Sequence, residues 1–218
     1  MLRPFQLICL VILSSLLAYS QSPVPATVTF TQDFPTSQPE HYSVRVQSDG
    51  PAHYQSSGRL SADSDETDSF DLDFTATAET RQKIHELAAK AGYFQKDVDS
   101  HHKGLAFTGK KTLVYKDERR SGESTYNYSA NQAVQELTGL MQNISATLEF
   151  GHRLQYDHHY QKLALEEELK RMEQLAHSKE LIEVAAIRPI LDRIVGDASV
   201  MNVTRARAQR LLDQAPPH

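Results

Sequence analysis

The chain has 218 residues and a single cysteine, Cys9, which lies in an apolar segment near the N-terminus. Without that segment no thiol remains, which excludes disulfide bonds, thiolate catalysis and cysteine-bound zinc. Small secreted eukaryotic domains usually depend on disulfides. A cysteine-free exported chain of this size is therefore more typical of a bacterial periplasmic or secreted protein.

The chain also lacks an excess of positive charge. It has 23 Lys and Arg residues against 28 Asp and Glu residues, so the formal net charge is −5. At that balance nucleic-acid binding has no electrostatic support, and we expect no nucleic-acid partner. With 39% hydrophobic and 23% charged residues, the composition is that of an ordinary folded protein.

Long hydrophobic runs are missing, apart from a short one over residues 7–17 that follows a positive charge. A bilayer span needs about 20 apolar residues, more than this run provides. Ala18-Tyr19-Ser20 offers small residues for cleavage before Gln21. We therefore interpret residues 1–20 as a secretory signal peptide and residues 21–25 as a linker. The prediction is an exported protein, periplasmic or secreted, with no membrane span after cleavage.

Alternating apolar and polar residues predict strands in the first two thirds of the chain. The alternation is seen around Val28 and Phe30, from Tyr42 to Val46, from Phe70 to Phe74, from Thr112 to Lys116, and from Thr125 to Tyr128. The polar segment 117–123 is predicted to turn between the last two strands.

Asp49-Gly50 indicates a hairpin after the second strand. A three-residue loop, Ser48 to Gly50, pairs Val46 with Ala52 and keeps the apolar residues on one face. The same register pairs Val44 with Tyr54, and it predicts a positive φ at Gly50.

Two helices are predicted among the strands. The first runs from about Ala78 to Ala91, with Thr77 as its cap and Gly92 at its end, and the second opens with the capping box Ser129-Ala-Asn-Gln132. Helices inserted among hairpin-linked strands indicate an α+β domain with an antiparallel sheet over residues 26–149.

Residues 150–218 show no strand pattern and are predicted to form a helical C-terminal extension. Its longest predicted helix covers 152–177, and shorter helices follow after Pro189 and Gly196. Tyr156, Tyr160 and Leu163 share one face of the long helix, whereas Leu165, Leu169, Met172 and Ala176 lie nearly opposite. We interpret the helix as a strut, with one end packed on the sheet domain and the other on the terminal helices.

Two short motifs resemble catalytic or phosphate-binding elements. Gly104 to Lys110 matches most of a phosphate-binding loop, but Lys111 replaces the Ser or Thr, and a strand follows where a helix is needed. Ser100-His-His-Lys103, with Ser129-Ala-Asn131, has spacings of penicillin-recognising enzymes, but no Lys-Thr-Gly follows. We interpret the first motif as a glycine-rich turn and the second as part of a polar loop.

The ten histidines are poorly spaced for a metal site. His152 and His159 share a helix face but lie about 10 Å apart along the axis, and His158 has no partner at helical spacing. His101-His102 is a loop pair that needs outside ligands. We therefore expect no bound transition metal and no cofactor.

An acidic turn precedes the strand that carries Asp71 and Asp73. Its residues are Asp63, Asp65, Glu66 and Asp68. Such a density of carboxylates is compatible with calcium, but Asp68 stands where the EF-hand loop needs glycine. The interpretation we prefer is a solvated loop followed by the solvent face of a strand.

Several segments together resemble a small exported bacterial domain of unknown function, of an acidobacterial type. They are Tyr42 to Gly50, Phe70-Asp-Leu, the helix end Ala-Gly-Tyr-Phe94, and Lys111 to Tyr115. The resemblance covers about residues 40–148. It implies an antiparallel α+β domain and carries no catalytic residues to this chain.

The function predicted from the sequence is a non-catalytic exported module that binds a protein, a peptide or an envelope component. One alternative is a secreted hydrolase whose His and Asp residues are assembled by the fold. Another is a structural element that assembles through the C-terminal helices. A cleft with converging titratable groups favours the enzyme, whereas an apolar patch or an open sheet edge favours binding.

Overall fold

The structure, a computed structural model, describes residues 24–59 and 66–214. The described residues form the strands β1 (Thr27–Asp33), β2 (His41–Gln47), β3 (Pro51–Arg59), β4 (Thr67–Thr75), β5 (Lys110–Lys116) and β6 (Ser121–Tyr126). The helices are α1 (Ala78–Lys90), α2 (Gln132–Tyr160), α3 (Leu165–His177), α4 (Arg188–Gly196) and α5 (Asn202–Gln214), with short 3-10 turns at Gly92–Phe94 and Val184–Ile187. The predicted α+β class is confirmed.

All six strands form one antiparallel sheet in the order β4-β3-β2-β1-β5-β6. The predicted hairpin register is confirmed, since Val46 pairs with Ala52 and Val44 pairs with Tyr54. Gly50 has a φ of +133°, which an L side chain rarely adopts. The predicted turn over 117–123 is too long, because β6 already begins at Ser121 and pairs there with Lys116.

The two faces of the sheet differ in polarity. One face is buried under α1 and α2, and its core side chains include Val28, Phe30, Val44, Tyr54 and Leu113. The other face carries mostly hydroxyl, amide and charged side chains, which are half-buried or exposed. This distribution is common for antiparallel sheets, which can leave one face in water.

The helix caps agree with the sequence at α1 and differ at α2. The Thr77 hydroxyl accepts a hydrogen bond from the Thr80 amide at 3.3 Å, as predicted. At α2 the predicted cap, Ser129, is wrong, because the Asn131 side chain accepts from the Ala133 amide at 2.9 Å. Ser129 instead accepts from the Asn131 amide and fixes the turn before the cap.

The predicted helix over 152–177 is wrong. Helix α2 is 29 residues long and runs through position 150, and the chain breaks the helix after Tyr160 before α3 begins at Leu165. The break falls where the apolar face changes side, so the two halves of the predicted strut are separate helices. Tyr160 and Leu163 are 68% and 78% exposed, so they do not pack on the sheet.

The C-terminal helices pack on one another and also contact the sheet region. Leu169 of α3 is fully buried, and α3 packs on α5. Glu183 closes the start of α1: its carboxylate accepts from the Thr77 hydroxyl at 2.8 Å and from the Thr77 amide at 3.1 Å. The division between residues 149 and 150 lies inside α2, and it stays a prediction.

Some predictions concern residues outside the described part of the chain. These are the signal peptide over 1–20, most of the linker, and Asp63 and Asp65 of the acidic turn. Within residues 24–59 and 66–214, no helix has the length and hydropathy needed to cross a bilayer.

Candidate functional site

Strand β4 forms one edge of the sheet. It is nine residues long, contains neither Pro nor Lys, and pairs on one side with β3. No strand lies beyond it in the part of the chain that the structure describes. Natural proteins usually block long edges with Pro, Lys or bulges, because unpaired backbone groups there can pair with another chain.

The outward direction of the β4 backbone follows from the ladder. The Ala76 amide donates to the Gly50 carbonyl at 3.0 Å, so the inner-face residues at every second position before it bond to β3. The N–H and C=O groups of Ser69, Asp71 and Asp73 therefore point away from the sheet. They form a row of backbone donors and acceptors along the edge.

The side chains give this edge one acidic and one apolar side. Asp71 and Asp73 lie on the solvent face, with side chains 70% and 88% exposed. Phe70, Leu72 and Phe74 lie on the inner face, half-buried against the core. Strand β4 is thus amphipathic, with an acidic solvent face and an apolar inner face.

One histidine lies beside the two aspartates. The His53 ring nitrogen Nδ1 is 2.8 Å from Asp73 Oδ1, and Nε2 is 3.5 Å from Asp71 Oδ2. The sequence contains no Lys or Arg between Arg59 and Arg81, whereas acidic residues recur throughout that segment. The charged side chains of β4 itself are therefore all negative.

Helix α2 supports the edge from the inner side. His152 Nε2 is 2.7 Å from Asp68 Oδ2, and the His152 ring stacks on Phe70 with centroids 4.4 Å apart. Glu149 accepts hydrogen bonds from the Tyr54 hydroxyl at 2.7 Å and from the Ser56 hydroxyl at 2.6 Å. These contacts hold β3 and β4 against α2.

The Tyr54 hydroxyl is a neutral donor in this cluster. The side chain is fully buried, and desolvation, with the adjacent Glu149 carboxylate, raises the pKa of Tyr54 well above its ordinary value. Its proton therefore stays in place at every physiological pH. The cluster fits a role in joining α2 to the sheet.

The opposite edge, β6, has six residues, and the chain's own segment 92–100 packs on its inner face at Gly122 and Ser124. The turn Gly92–Phe94 packs so closely that a Cβ on Gly122 would overlap the Tyr93 carbonyl and lie 2.9 Å from the Gln95 nitrogen. The Val98 amide donates to the Ser124 hydroxyl at 3.0 Å. The two edges thus differ in length and in what packs on the inner face of the strand.

Five histidine rings pair with carboxylates. His41, His53, His101, His152 and His158 each lie within hydrogen-bond distance of an aspartate. Among the described residues no Ser, Thr or Tyr hydroxyl is bonded to a histidine ring, whereas a serine hydrolase needs its base bonded to the nucleophile. Across the same residues no three His, Asp or Glu side chains are grouped for one metal ion.

The structure does not bring the motif residues together. Ser100 and Lys103 lie in a loop, as predicted, and Ser129 lies just before α2. Lys111 is buried, and its ammonium donates to the carbonyls of Gly109 and Asn127 at 3.2 and 3.0 Å. This lysine stabilises the loop before β5, which agrees with the predicted glycine-rich turn.

Asp71 and Asp73 lie on the solvent face of their strand, as the alternation predicts, but the sequence does not reveal that this strand is at an edge. Strand order depends on which strands pair over long distances, and alternation is the same in central and edge strands of an antiparallel sheet. The alternation in Asp71-Leu-Asp73 is the one local signal, and it indicates a solvent face and not an edge. No sequence pattern indicated that Glu149 and Ser56 support the site.

A second exposed surface lies at the end of α2. The rings of Tyr156 and Tyr160 are 4.9 Å apart, and Leu163 follows in the turn. These are the residues that the helical projection placed against the sheet. They face solvent because the helix ends here and the chain turns away into α3.

A comparison with protein-family models finds no match for this chain, and a comparison with curated proteins finds no similar sequence.

Proposed function

We propose that this chain is an exported, non-catalytic module that binds a partner polypeptide by adding a strand to the β4 edge. Export is supported by the charged, apolar and small-residue segments of the first 20 residues. Strand addition is a known mode of peptide recognition, in which main-chain hydrogen bonds supply the affinity.

The observation that carries the proposal is the row of outward backbone groups on Ser69, Asp71 and Asp73. It lies on a strand of nine residues that contains neither Pro nor Lys. The half-buried Phe70 and Leu72 offer apolar surface that an added strand would cover. A stable fold leaves such an edge open at a risk of aggregation, and a binding role explains why it is kept.

The experiment uses the chain without residues 1–20 and a soluble nine-residue peptide that alternates Val and Thr. We expect saturable binding by calorimetry. Asp71→Pro should abolish it, because proline removes an outward N–H without removing a bond to β3. Asp71→Asn keeps that N–H and should bind the neutral peptide as the parent chain does. Absence of binding, or equal binding by the proline variant, would overturn the proposal.

A further inference from the structure

We infer that the strand accepted by the β4 edge is amphipathic, with Lys or Arg at alternate positions and apolar residues between them. This inference rests on the proposed strand addition at β4, and it specifies the chemical class of the partner: a basic, extended polypeptide segment.

The spacing of the edge side chains sets the pattern of the partner. Directly opposed residues on paired strands have Cβ atoms about 4.5–5.5 Å apart. Residues opposite Asp71 and Asp73 are two positions apart on an added strand, and they share the solvent face. Basic residues there would face two carboxylates that are largely exposed.

The positions between those two face the inner side of the sheet. Residues opposite Phe70, Leu72 and Phe74 would extend the core past its present border, since these three side chains are only half-buried. Apolar residues there remove both surfaces from water. The complete pattern is apolar, basic, apolar, basic, apolar.

The same charges disfavour a second copy of this chain in the register that pairs β4 over its full length. If two β4 strands paired antiparallel over their full length, Asp71 would face Asp71 of the other copy. A shift to a dyad at Leu72 would set Asp71 opposite Asp73. Like charges directly opposed destabilise a strand pair, so the edge repels itself and attracts a basic strand.

The test compares three soluble nine-residue peptides that alternate Val with Thr, Lys or Glu. At low salt we expect the Lys peptide to bind on the order of ten-fold tighter than the Thr peptide, because it adds ion pairs to the same backbone contacts. The Glu peptide should bind more weakly than the Thr peptide. The advantage of the Lys peptide should shrink in 0.5 M NaCl, since salt screens exposed charges.

Matched variants locate the attraction. The double variant Asp71→Asn, Asp73→Asn should lose most of the Lys advantage and keep the Thr affinity. Glu123→Asn removes an exposed charge from the same cross-strand row at the other edge, and it should leave the Lys advantage unchanged.

The outcomes separate this inference from the proposed function. If the Thr peptide binds at the edge and the Lys peptide gains nothing, the basic pattern is wrong and strand addition stands. If the Lys advantage survives in the double variant, its source lies elsewhere and the inference is overturned. If no peptide binds, or if Asp71→Pro binds all three as the parent chain does, both proposals are wrong.

Discussion

The two edges of the sheet are built in opposite ways. At β6 the strand is short, and the segment 92–100 packs on it through the tight turn at Gly92–Phe94. At β4 the strand is nine residues long, and its outward backbone has no strand beside it among the described residues. Among the described residues, β6 is thus a short edge with chain packed on its inner face, and β4 is a long edge that carries exposed carboxylates.

This difference indicates what each edge tolerates. A short strand offers few backbone groups to an added strand, whereas negative charge on a long strand repels only added strands of the same sign. We therefore interpret β6 as a structural edge and β4 as a selective one.

The largest expected effect comes from Leu169→Asp in α3. Loss of a fully buried leucine costs about 2–5 kcal/mol, and an unpaired carboxylate adds to that. The division at residue 149 predicts local damage and a protease-resistant fragment over about 26–149. We expect the sheet to be digested too, because α2 crosses the boundary and Glu183 closes α1.

Limited proteolysis with mass spectrometry decides between these results. A resistant fragment over 26–149 would show that the sheet and its two edges fold without the C-terminal helices. Leu163→Asp is the control, because Leu163 is 78% exposed and its change should alter the digestion little.

The next largest effect tests how closely the turn Gly92–Phe94 packs on β6. Gly122→Ala places a methyl group against the main chain of Tyr93 and Gln95, and such overpacking costs about 1–3 kcal/mol. We expect the free energy of unfolding to fall by an amount near the upper limit of this range, since backbone atoms must move. Gly139→Ala in α2 meets no atom within 4 Å and should stabilise the protein by about 1 kcal/mol. Urea unfolding measures the change in stability of both variants. A Gly122→Ala variant as stable as the parent chain would contradict the close packing.

A smaller, pH-dependent effect concerns Asp117, in the turn that leads into β6. Desolvation opposes its ionisation, but hydrogen bonds from the Arg119 and Arg120 amides and the Tyr115 hydroxyl outweigh it and lower the pKa of Asp117 to about 2. Because the folded pKa is depressed, this stabilisation is complete above the unfolded value of about 3.9 and is lost as the pH falls towards 2.

Asp117→Asn should therefore be less stable than the parent chain at pH 7. The gap in free energy of unfolding should narrow as the pH falls from 4 towards 2. The guanidinium carbon of Arg120, which is bonded to Asp117, lies 3.9 Å from the centre of the Tyr93 ring. The turn therefore also supports the segment that packs on β6. Asp192→Asn, an exposed change on α4, is the control for the loss of one negative charge. An equal gap at all pH values for Asp117→Asn would contradict this account.

Local signals predicted the sheet better than the helices. Alternation and Asp49-Gly50 predicted the β2–β3 hairpin to the residue, because a register shift would expose Val44 and Val46. Helical periodicity predicted apolar faces in residues 152–177 but not the break after Tyr160. A change of face is compatible with one twisted contact surface or with two helices, and only tertiary packing distinguishes them.

The candidate site was predictable only in part. The solvent-facing Asp71 and Asp73 follow from alternation, whereas the edge position of β4 depends on strand order. The support from Glu149 and His152 joins residues far apart in sequence, and no spacing rule within α2 indicates it.

Amide hydrogen exchange tests the central claim most directly, because it reads both edges of the sheet in one experiment. With the peptide that alternates Val and Lys, we predict slower exchange at Ser69, Asp71 and Asp73 and unchanged exchange along β6. Protection confined to the polar sheet face or to the end of α2, or no protection at β4, would contradict the account of a selective open edge.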